Sequence, residues 1–63
     1  MIGTQFQYLG ETWEVLSHHG GEWWKCHKLS QSRDVAYRVR KRHILNPPAP
    51  NTDEERGVAF KIF

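Results

Sequence analysis

Sixty-three residues allow one domain, and a single cysteine, Cys26, allows no internal disulfide. A disulfide-stapled secreted mini-protein is therefore excluded, and a reducing, cytoplasmic setting is expected. The net charge of +2 is small, but it is unevenly placed: Arg33, Arg38, Arg40, Lys41 and Arg42 cluster against Asp34 alone, while Asp53, Glu54 and Glu55 follow a proline-rich stretch. Such asymmetry points to an anionic partner.

A chain this short buries only about 60% of the surface that its unfolded form exposes, so aromatic residues must supply much of the core. No basic, apolar leader opens the sequence, and no apolar run reaches the roughly 18 residues of a membrane helix. The initial methionine is expected to open a complete gene product, of a size common in phages and other mobile elements.

In chain order, residues 1–8 read as a first strand with Phe6 and Tyr8 on one face. Gly10 marks a turn. Residues 12–16 alternate as a second strand, with Trp13 and Val15 inward and Thr12 and Glu14 outward. The Gly20-Gly21 pair places a loop at 17–21. Residues 22–29 form a third strand: Trp24 and Cys26 share one face, and Trp23, Lys25 and His27 share the other. After a polar turn at 30–34, residues 35–44 read as one long strand. Val35, Tyr37 and Val39 fall on its apolar face, and Arg38, Arg40 and Arg42 on the opposite face.

The pattern then changes. Proline has no amide donor, so Asn46-Pro47-Pro48-Ala49-Pro50-Asn51 reads as a polyproline-like connector. Thr52 followed by Glu55 is a capping-box pattern for one helical turn, ended by Gly57. The connector and turn together cover 46–57. Residues 58–63 alternate as a terminal strand, with Val58, Phe60 and Ile62 facing the core. The expected core is Trp13, Val15, Trp24, Tyr37, Val39 and Phe60, with Phe6 and Val58 beside them.

The fold class is thus all-β: about five antiparallel strands and one short helical turn before the last strand. Strand number and spacing, with the pattern Phe6-x-Tyr8-x-Gly10-x-x-Trp13-x-Val15, resemble an SH3-like small β-barrel. The resemblance implies a single barrel domain over 1–63. It also implies a choice of functions, since barrels of this class bind nucleic acids, Pro-rich peptides or modified tails, or serve as assembly parts. The long proline segment departs from the usual short turn. It leaves open whether the terminal strand closes its own barrel or pairs in a homo-oligomer.

The arginine row is the main candidate site. Guanidinium groups grip phosphates and carboxylates. Arg38, Arg40 and Arg42 are expected to do so, helped by Arg33, Lys41 and Lys25, with Trp23 and His27 stacking on bases. The plainer reading is a solvated face or a strand edge guarded by charge, but an edge guard needs fewer charges than this row supplies. The first expectation is an accessory protein binding DNA or RNA. The alternative is a protein-interaction module or inhibitor that docks an acidic partner surface through the same basic face.

Zinc would require His18, His19, Cys26, His27 and His43 to converge, and the strand parity separates Cys26 from His27. Catalysis by Cys26 would need a histidine beside it and a third orienting group, which parity also withholds. No metal, cofactor or enzymatic activity is expected.

Overall fold

The computed structural model describes residues 1–47 and 58–62. Five strands follow the chain as an antiparallel meander in the order β1-β2-β3-β4-β5. They are β1 (Gln5–Tyr8), β2 (Glu11–Gly20), β3 (Trp23–Lys28), β4 (Tyr37–Arg40) and β5 (Ala59–Lys61); among the described residues one short helix, α1 (Lys41–Leu45), lies between the last two. The sheet is not closed: β1 and β5 are its two edges. The all-β architecture expected from the alternation is present, as is one short helix. No described helix is long and apolar enough to cross a membrane.

Local chemistry explains the turns. Tyr8 pairs with Glu11, so Leu9 and Gly10 form a two-residue hairpin loop. Both have positive φ, 55° and 72°, as a type I′ turn requires. Leu9 is an unusual residue there, but its side chain packs against the core cluster, which offsets the cost of the left-handed backbone. At the next hairpin Gly20 pairs with Trp23, and Gly20 and Gly21 both take positive φ. Strand β2 is longer than expected because it continues through His18 and His19 to this turn. Register shifts between Val15 and Ser17 and between His18 and Gly20 leave Leu16 and His19 as extra residues. Bulges of this kind bend a strand and increase its twist.

The inner face of the sheet carries the core. Trp13, Val15, Cys26 and Val39 are essentially inaccessible, and Phe6, Tyr8, Ile44 and Val58 complete the cluster. Trp13 sits at its centre. Its ring lies 5.9 Å from Phe6, 6.1 Å from Tyr8 and 5.2 Å from Tyr37. Its Nε1–H donates to the Tyr8 carbonyl at 3.0 Å, so burial leaves no indole donor unpaired. Trp24 shares the inner parity through its rung with Val39. It is half-buried at the margin of the cluster, against the ring of His18 at 4.6 Å. Tyr37 is likewise half-buried there.

Two expectations are corrected. The long strand 35–44 is not continuous: β4 ends at Arg40 and the chain turns into α1. The reason lies in its neighbour. The rung Trp23–Arg40 is the last that β3 offers, and beyond Trp23 the partner chain is already turning. The Lys41 amide donates to the Glu22 carbonyl at 2.8 Å; beyond that point β3 supplies no further rung, and the chain turns into α1, where the Asn46 amide donates to the Arg42 carbonyl at 3.0 Å. Its Ile44 then enters the core.

The second correction concerns Phe60. It pairs with Arg38 in β5, and directly opposed residues share a face. Phe60 therefore lies on the outer face, while Val58, just before the strand, enters the core. The helical turn expected at 52–55, and the connector beyond Pro47, lie outside the described residues.

Candidate functional site

The outer face of β3, β4 and β5 is assembled by three rungs. Trp23 opposes Arg40, Lys25 opposes Arg38, and Arg38 opposes Phe60. Strand alternation sends all five side chains away from the core. The guanidinium carbon of Arg38 lies 4.7 Å from the Trp23 ring centre and 5.3 Å from that of Phe60. Arg40 lies 4.5 Å from the same indole. Trp23 and Phe60 meet edge to face at 5.7 Å. The result is a short ladder of alternating cations and π-faces across three strands.

The two arginines differ electrostatically. Arg40 Nε is 3.0 Å from Glu22 Oε1, so its charge is locally compensated. Among the described residues no carboxylate pairs with Arg38. Arg38 is solvent-exposed; the rings fix its position while its N–H groups stay available. Cation–π contacts at such sites are worth about 0.5–1 kcal/mol each, enough to order a side chain without removing it from solvent.

Of the residues singled out in the sequence, the fold brings together Trp23, Lys25, Arg38 and Arg40. It separates the others. Arg42 leaves the row because it stands on α1, where Lys41 also lies, both exposed. Arg33 occupies the loop after β3, with Nη2 3.6 Å from Glu14 Oε1. His27, expected to be exposed and to stack on bases, is 5% exposed. Its Nε2 lies 3.3 Å from the same Glu14 oxygen. It belongs to a structural cluster that ties the loop to β2 and β3.

A second such cluster stands nearby. The Ser30 hydroxyl donates to Glu11 at 2.6 Å, and Lys28 Nζ is 3.3 Å from Glu11 Oε2. The Ser30 hydrogen bond, followed by Lys28, holds the Glu11 carboxyl below its ordinary range. Lys28 also lies over the rings of Trp13 and Tyr37, at 5.3 and 5.5 Å. These contacts close one end of the core.

Phe60 is the site residue that sequence reasoning missed, since alternation alone assigned it to the core. Cys26, by contrast, has no reactive setting. Its thiol is buried, and burial pushes its pKa up to about 12, so it stays protonated and unreactive near neutrality. Among the described residues no three metal-ligating side chains converge. In comparison with known proteins, no family model, no curated sequence and no solved structure matches the chain.

Proposed function

We propose that this protein is a small accessory nucleic-acid-binding module that contacts the phosphate backbone through the outer face of β3–β5. Arg38 is the principal phosphate ligand, Arg40 and Lys25 extend the positive field, and Trp23 with Phe60 holds the guanidinium groups in place. The observation that carries this reading is Arg38 itself: a cation positioned by two aromatic rings, with no carboxylate paired to it among the described residues. A guanidinium held in this way loses little entropy when it meets a phosphate and offers it paired donors. An SH3-like barrel, the finer architecture suggested by strand number and spacing, is compatible with this use but does not select it.

The test is a titration of short labelled DNA and RNA across about 50 to 200 mM salt. Counterion release predicts a steep loss of affinity as salt rises. Arg38→Ala should weaken binding to all sequences and make the log–log salt slope shallower by about 1. Absence of measurable binding at the lowest salt overturns the proposal. It leaves an acidic protein surface as the partner of the same face.

A further inference from the structure

A groove of about 640 Å³ runs beside β5, lined by His19, Arg38, Ala59, Phe60, Lys61 and Ile62. Four of these six are consecutive residues of β5 and its end, and His19 is the extra residue of the second bulge in β2. Arg38 and Phe60 belong both to this groove and to the outer ladder, so the two surfaces are continuous.

We infer that the groove receives an unpaired nucleotide, and that the nucleic acid recognised is single-stranded. This rests on the nucleic-acid reading above and names its substrate class. Size, charge and shape support it together. The volume falls within the roughly 300–1,000 Å³ of small-molecule sites, too small for a duplex to enter. Arg38 and Lys61 are basic, His19 adds a third donor, and among the described residues no carboxylate lines the space, which matches a phosphate. Phe60 and Ile62 supply an aromatic ring and an apolar wall for a base. A duplex keeps its bases stacked inside, so aromatic side chains gain little from it. On a single strand each base offers a π-face, and stacking tolerates any sequence. The ladder of Trp23, Arg38 and Phe60 then gives the strand a path leading into the groove.

The experiment compares an oligothymidylate of about 12 nucleotides, within the span of small single-strand folds, with a duplex of equal length. Both are titrated against the whole chain at low salt by fluorescence anisotropy. The single strand should bind about tenfold or more tightly than the duplex. Phe60→Leu should bring the ratio of the two affinities toward one, with circular dichroism to show that the variant is folded. Lys61→Gln, at an exposed position, serves if Phe60→Leu fails to fold, and should lower single-strand affinity several-fold. Equal or tighter duplex binding overturns this inference while leaving the nucleic-acid reading intact. So does unchanged single-strand binding by every folded variant of the pair. Binding of neither form removes both.

Discussion

Trp13 and Trp23 show how differently one side chain is used on the two faces of a single sheet. Trp13 is enclosed by Phe6, Tyr8 and Tyr37, and its indole donor is spent on a backbone carbonyl. Trp23 is half-buried, and its neighbours are Arg38, Arg40 and the edge of Phe60. The first arrangement removes apolar area from water and leaves nothing to bind. The second leaves part of the indole accessible and orders two cations at the surface. Stability should therefore be concentrated on the inner face and binding on the outer one, and that division can be tested.

The largest effect is expected at Trp13. Trp13→Ala should cost about 3–5 kcal/mol, the range for deleting a large buried aromatic. A chain this length has roughly 3–9 kcal/mol in total, so urea denaturation should show the loss of about a third to all of that stability. A folded variant with near-native stability would break the comparison at its first term.

The inner face also makes a prediction about alkali. Burial raises the Cys26 thiol from an ordinary 9.0 to about 12. The native state thus holds this proton more tightly than the unfolded chain. The associated stability is fully present below pH 9.0 and is lost as pH climbs toward 12. Cys26→Ala lacks this term. The stability difference between wild type and variant should be greatest at neutral pH and shrink across that window, as read from denaturation midpoints. A constant difference would mean that the thiol is not desolvated in the fold.

A smaller loss of stability is expected at Trp23. Two cation–π contacts and one aromatic pair predict about 1.5–3.5 kcal/mol for Trp23→Ala. The variant should stay folded by circular dichroism and yet lose affinity for oligonucleotides, because Arg38 and Arg40 lose the ring that positions them. Unfolding as severe as that of Trp13→Ala would show that the outer face is a second core.

The finest distinction lies between the two arginines. Each should change stability by at most about 2 kcal/mol, from two ring contacts at Arg38 and from one ring contact and one ion pair at Arg40. Arg38→Ala should reduce nucleic-acid affinity more than Arg40→Ala, since Glu22 already compensates Arg40. Glu22→Gln should accordingly strengthen binding. Equal losses from both arginines would show that overall charge matters and the clamped geometry does not.

Much of this division was legible in the alternation. It placed Trp13 with Val15, Trp24 with Cys26 and Tyr37 with Val39, and it put Trp23, Lys25, Arg38 and Arg40 on the other side. Side-chain parity within a strand is a local property of the backbone, so neighbouring residues are enough to state it. The same reasoning identified Arg38 and Arg40 as candidate ligands but had no means of ranking them. The ion pair of Arg40 with Glu22 depends on how β3 and β4 meet.

What the tertiary structure decided was wherever one strand depends on another. Arg42 left the row because β3 begins at Trp23 and gives β4 no rung beyond Arg40. Phe60 turned outward because its register against β4 sets it opposite Arg38; a shift of one residue would have sent it to the core. His27 has outward parity and is nevertheless buried, beside the Glu14 carboxylate that Arg33 also approaches. The sequence by itself therefore determined an all-β chain with one apolar and one basic, aromatic side. Strand ends, register and loop placement are set by pairing between residues far apart in the chain, and these alone chose which basic residues stand together.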